Sequence, residues 1–208
     1  MKIFALELST ARGSIACLDG GAEIFVREFS NDRKHSGLFF ENLQEVTHRF
    51  GPANLIVVGL GPGSYAGVRI AIAAATGLGA ASGARLAGLP SICAIATEAT
   101  EYCVIGDARR KSLFFARIRA NKCVEGPDLH DELHLRNQLE KVAFETPVFT
   151  FEHLPFERAE LRYPSALLLA RIAERDGELQ EATPLEPIYL REPNITVAKI
   201  PAPSTILR

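Results

Sequence analysis

Hydrophobic positions come first in runs and then at helical intervals. Residues 2–9, KIFALELS, form an extended apolar run, and SIACLD (14–19) and AEIFVREF (22–29) follow it. Gly20-Gly21 between the last two supplies the positive φ of a tight hairpin, so three consecutive antiparallel strands are predicted. In HSGLFFENLQEVTHRFG the apolar residues Phe39, Leu43, Val46 and Phe50 recur at helical spacing. Ser36 is placed to cap that helix and Gly51-Pro52 end it. NLIVVGL (54–60) is a short continuous apolar run, the signature of a strand buried on both faces. A glycine-rich loop and a long helix to about Ser82 come next. A short strand near RLAGLP and a helix from Ser91 to about Ala99 close the first half.

The order then begins again. EYCVIGDA, SLFFARIRA and KCVEG read as strands, LRNQLEKV as a helix, PVFTF as a strand and PSALLLARIAERDG as a helix closed by Gly177. Both halves are approximately βββαβα, which predicts two α/β lobes with a cleft between them. The boundaries fall at 1–100 for the first lobe and 101–191 for the second. An extended tail, 192–208, carries Pro193, Pro201 and Pro203.

Composition narrows the classes. With 47% hydrophobic and 23% charged residues over 208 positions, the chain is globular rather than disordered. No apolar run reaches the roughly 18 residues of a membrane span; the longest, Ala66 to Ala81, is interrupted by Arg69. The start MKIFALELST lacks a signal or transit pattern, so a cytoplasmic location is expected. Cys17, Cys93, Cys103 and Cys123 have no C-x-x-C spacing and are expected to be reduced and structural. A net charge of -2 gives no general attraction for nucleic acid, so an RNA role needs a local patch or a partner. DARRK (107–111) is such a local cluster, readable as a phosphate contact or as a turn.

The loop GPGSYAG invites comparison with phosphate-binding motifs. Gly61 and Gly67 enclose five residues and Val68-Arg69 follow, whereas a Walker loop needs four residues and then Lys-Ser/Thr. Gly61, Gly63 and Ala66 fit the looser dinucleotide pattern, yet no acid for the ribose occurs between Glu45 and Glu98. What remains is a sharp strand-to-helix turn, either structural or with free amides that hold an anion. The helix after it has little side-chain bulk. Gly67, Ala71, Ala74 and Leu78 form one stripe, and Ile70, Ala73, Gly77 and Ala81 another. Close backbone approach serves either the protein's own sheet or a partner helix.

Gly61, Pro62, Gly63, Ser64, Tyr65, Gly67, Val68, Arg69 and Ile70 match G-P-G-S-[FY]-T-G-[LIV]-R-I, with Ala66 in place of threonine. IFALELST, DARRKSLFFA and PIYLR (187–191) match further segments in order, and HSGLFF does so more loosely. In these residues the chain resembles the TsaB (YeaZ) family of tRNA threonylcarbamoyladenosine biosynthesis. The resemblance implies an actin-like (ASKHA, ribonuclease H-like) two-lobed fold. It also implies a non-catalytic subunit that binds the transferase TsaD together with the ATPase TsaE, and that forms a homodimer when TsaD is absent. TsaD modifies the adenosine next to the anticodon; tRNA is met indirectly, through the complex. Partner-binding helices are implied at Phe39, Leu43, Val46, Gly67, Ile70, Ala71, Ala73, Ala74, Gly77, Leu78 and Ala81.

Active actin-like ATPases place an aspartate and a hydroxyl-rich turn at the first strand's end, where this chain has Glu7, Leu8, Ser9 and Thr10. A carboxylate retained at the cleft edge is expected, and no catalytic residue. Glu7, Ser9, Thr10, Gly61, Gly63 and Ser64 are the candidate nucleotide or phosphate contacts, with ATP or ADP and Mg at the partner interface as the one cofactor implied. The alternative function is a nucleotide-binding ATPase or kinase-like enzyme of the actin-like class. HDELH places His130 and His134 at i, i+4, but Glu132 is misplaced for a zinc protease, so a solvated segment between lobes is expected and no metal site. His35-Ser36 lacks the partners of a nucleophilic triad.

Overall fold

The computed structural model describes residues 1–31, 37–176 and 185–191. Strands β1 (Lys2–Glu7), β2 (Arg12–Asp19), β3 (Ala22–Ser30), β4 (Leu55–Gly59) and β5 (Arg85–Leu89) form one sheet in the order β3-β2-β1-β4-β5. β1, β2 and β3 pair antiparallel, while β4 is parallel to both β1 and β5. Gly20 and Gly21 take φ of 55° and 84° in the predicted hairpin turn. Strands β6 (Glu101–Asp107), β7 (Leu113–Arg119), β8 (Lys122–His130), β9 (Val148–Thr150) and β10 (Ala159–Leu161) form a second sheet ordered β10-β9-β6-β7-β8. Its pairings repeat the first: β6 is antiparallel to β7 and parallel to β9. The fold is α/β, with this topology used twice, as in the actin-like, ribonuclease H-like class.

The apolar runs of β1 and β4 follow from burial on both faces. Phe4, Leu6, Ile56 and Val58 meet α1 (Gly37–Phe50) and α2 (Tyr65–Ser82), whereas Ile3, Ala5, Leu55 and Val57 meet α4 (Ala166–Asp176). In the second sheet Cys103, Ile105 and Phe115 pack on α3 (Glu132–Glu140). The opposite face, with Val104, Phe114 and Ile118, receives Ile92, Cys93 and Ile95 of the interlobe crossing.

Several expectations change. The helix expected over 91–99 is a single 3₁₀ turn, Ser91–Cys93. The Ser91 hydroxyl is taken up by the Gly61 amide, and Ile95 bridges to Pro164, so the crossing follows tertiary contacts instead of helical ones. Helix α4 follows the second sheet in the chain yet packs on the first, where the Ala166 amide donates to Ser14 Oγ at 2.9 Å. β8 runs on to His130, and β10 is a strand of three residues that the pattern did not show. The segment HDELH therefore spans the end of β8 and the start of α3 within the second lobe, and does not lie between the lobes. The cap at Ser36, the stop at Gly177 and the tail from 192 lie outside the described residues.

Candidate functional site

The glycine loop is built around close backbone approach. A Cβ on Gly63 would lie 2.1 Å from the Ser9 carbonyl oxygen, and one on Gly67 would lie 2.0 Å from that of Leu8. The Ser64 amide donates to the Ser9 carbonyl at 2.6 Å. Ser64 also caps α2, its Oγ accepting from the Gly67 amide at 3.2 Å. The glycines thus let the loop after β4 lie on the loop after β1, a close internal packing that the turn requires.

These two loops form one wall of a cleft of about 520 Å³ between the lobes. Ser9, Thr10, Gly63, Ser64 and Tyr65 line it from the first lobe; Asp107, Arg109 and Glu152 line it from the second. Residues 187–191 complete it. Of the candidate phosphate contacts, Ser9, Thr10, Gly63 and Ser64 reach the cleft, whereas Glu7 and Gly61 do not. Ser9 is 2% exposed and its Oγ has no hydrogen-bond partner among the described residues.

Glu7 is not at the cleft edge. It is fully buried, with Oε1 accepting from the Ser9 amide at 2.6 Å. Its Oε2 sits where a side chain on Gly59 would be, 1.8 Å from the position of that missing Cβ. Burial pushes the carboxyl above the ordinary range, with the neighbouring Ser9 and Ser91 pulling less strongly the other way. A fully buried acid that does not line the cleft is poorly placed to ligate a cation there, and burial adds a cost to its charged form.

In the basic loop, Arg109 is tied to Asp107 by an ion pair of 2.8 Å. Arg109, Arg110 and Lys111 have φ of 63°, 53° and 60°, a sharp left-handed turn of non-glycine residues. His130 ends a strand and packs edge-on against Phe115. His134 lies on α3, its Nδ1 at 2.8 Å from Asp131, which caps that helix. The described residues contain no cluster of three His, Cys, Asp or Glu suited to a metal.

The two α2 stripes separate by burial. Gly67 and Ala71 are buried and Ala74 and Leu78 half-buried, so that stripe faces the sheet. Ala73, Gly77 and Ala81 are exposed and Ile70 is half-buried; nothing lies within 4 Å of a Cβ placed on Gly77. On α1, Phe39, Leu43 and Val46 are 1%, 7% and 0% exposed and belong to the core. In the chain alone they are covered and present no exposed surface. The helical periodicity that found them marks the inward face. The exposed apolar residues of α1 are Leu38 and Phe40, and Tyr65 is exposed at the start of α2.

Sequence reasoning missed Tyr189. Its hydroxyl accepts from Arg69 Nε at 2.9 Å, and its ring centroid is 5.5 Å from that of Tyr65. Neither periodicity nor spacing signals a contact across 120 positions.

The TsaD family model, described as tRNA N6-adenosine threonylcarbamoyltransferase, matches residues 33–133, just under half of the chain. An uncharacterized protein of Mycobacterium leprae (strain TN) is 38% identical over 73 residues, which cover 35% of this chain and 20% of that protein. The match thus spans about a fifth of that relative's length. Two solved structures from Pseudomonas aeruginosa cover 91% of this chain and 99% of their own, each at 22% identity. One, an uncharacterized protein with similarity to peptidase YeaZ, superposes with a TM-score of 0.71, and YeaZ itself with 0.68. In fold this chain is a YeaZ-like protein, and residues 33–133 carry the sequence pattern of the TsaD family.

Proposed function

We propose that this chain is a non-catalytic assembly subunit of tRNA threonylcarbamoyladenosine modification, docking on a TsaD-type transferase through the outer face of α2. The observation that carries the reading is the exposed row Ala73, Gly77 and Ala81, on a helix whose exposed positions are alanine or glycine except at Tyr65, Arg69, Thr76 and Ser82. The outer face of a surface helix is normally charged or polar, so a row of small apolar residues there stands out. Side chains this small admit a second helix at the short end of the usual separation of about 8–10 Å. Leu38 and Phe40 of α1, on the same face of the sheet, offer larger apolar groups. The same face suits a second copy of the chain when the transferase is absent. TsaE and tRNA are met through the assembled complex, in the cytoplasm. The match of residues 33–133 to the TsaD model supports the pathway.

One observation favours a second reading, a nucleotide-binding ATPase or kinase-like enzyme: Ser9, Thr10, Gly63 and Ser64 come together in one wall of the interlobe cleft. Withdrawal of Glu7 from that cleft weighs against it. Reconstitution separates the readings. The purified chain alone is expected neither to modify tRNA nor to hydrolyse ATP, while modification by the cognate TsaD and TsaE is expected to require it. Modification at full rate without the chain would refute the assembly role, and ATP turnover by the chain alone would establish the enzyme.

A further inference from the structure

Residues 185–191 cross from one lobe to the other without belonging to either sheet. Leu185 packs with the first core, where a Cβ on Gly88 would lie 3.1 Å from its Cδ2. The Ile188 amide donates to the Leu60 carbonyl at 2.8 Å. Tyr189 then meets α2: its hydroxyl accepts from Arg69, whose guanidinium lies 4.0 Å from the Tyr65 ring centroid and 5.8 Å from that of Tyr189. Leu190 packs against the second core, and Arg191 Nη2 donates to Ser112 Oγ in the turn after β6. No residue of this segment is fully buried. A segment with few buried contacts and exposed hydrogen bonds opens at lower free energy than the lobes it joins.

We propose that residues 185–191 are an interlobe strap, latched by Arg69 on Tyr189, which opens as a unit of its own and relays a disturbance on α2 to the turn 108–112 of the second lobe. Arg69 touches nothing in that turn in the contacts described. The relay runs through Tyr189, Leu190 and Arg191 to Ser112, whose carbonyl accepts from the Ala108 amide at 2.9 Å. The strap also lines the cleft, so its release opens one side of it. The device operates whether or not anything docks on α2.

Amide hydrogen exchange resolved to single residues tests this on the full chain. Arg69 is exposed, so Arg69→Ala is expected to fold. It should speed exchange at Ile188 and at Ala108 by about tenfold, the equivalent of about 1.4 kcal/mol, while the amides of β1 stay as protected as in the parent. Tyr189→Phe, which keeps the ring and removes the acceptor, should give a smaller rise at the same two amides. No change at Ile188 overturns the latch. A rise at Ile188 without one at Ala108 overturns the relay. A uniform rise that includes β1 shows global destabilisation and overturns the separate opening.

Discussion

Gly67 stands against the carbonyl of Leu8, so close that a Cβ on Gly67 would come within 2.0 Å of that oxygen. The clash is with backbone, which cannot rotate away. Gly67→Ala is therefore expected to cost at least about 3 kcal/mol, toward the upper end of single-substitution effects. Gly77, ten positions along the same helix, meets nothing, and Gly77→Ala should stabilise by up to about 1 kcal/mol through helix propensity. Urea unfolding of the two variants measures this. Equal effects of one sign would mean that the loop is not held as described.

Glu7 gives stability a dependence on pH. Its folded pKa is raised above the unfolded value of 4.5, chiefly by burial. The contribution of the neutral acid is then fully present below about 4.5 and is lost as pH rises through the folded pKa. Glu7→Gln cannot ionise, and its side-chain oxygen can still accept from the Ser9 amide. Relative to the parent, the variant should gain stability as the pH rises from about 4.5 through the folded pKa, and the gain should level off above it. A stability difference that stays constant across that range would contradict the burial of a titrating carboxyl.

The thiols should react in two classes. Burial pushes Cys17 and Cys103 up to about 11 and Cys93 up to about 12, and all three are buried and free. Cys123 is half-buried. Because the thiolate is the reactive form, a thiol reagent at pH 8 should modify Cys123 first and the other three only as the chain unfolds. Four equivalents in denaturant and one fast equivalent in the native state is the expected count. Two or more fast native thiols would show that the core is looser than the packing implies.

Much of the architecture was legible because burial leaves a period. β1 reads as a strand since Ile3 and Ala5 face one layer while Phe4 and Leu6 face another, with no polar residue between them. Helix α1 was found from Phe39, Leu43 and Val46, and the same period means that these residues point into the core of the chain, leaving Leu38 and Phe40 as its exposed apolar groups. In α2 small residues occupy nearly every face, and no moment distinguishes the sheet side from the outer side. Only packing settles that Ala71 faces in and Ala73 faces out. The candidate site was legible in its loops, Ser9-Thr10 and Gly63-Ser64, and not in its third wall. Tyr189 reaches Arg69 by a contact that no local pattern encodes, and β10 is three residues whose pairing with β9 is their main structural signal.

The outer face of α2 carries the functional reading, and one affinity measurement addresses it. Ala73 is exposed, so Ala73→Glu should leave the circular dichroism spectrum and melting temperature of the isolated chain unchanged. Against a docked helix the same glutamate would be a buried, unpaired charge. Titration of the cognate TsaD with parent and variant in a calorimeter is predicted to show binding at least about a hundredfold weaker for Ala73→Glu, corresponding to roughly 2.7 kcal/mol. A folded Ala73→Glu variant that binds TsaD with the parent's affinity would contradict docking through this face.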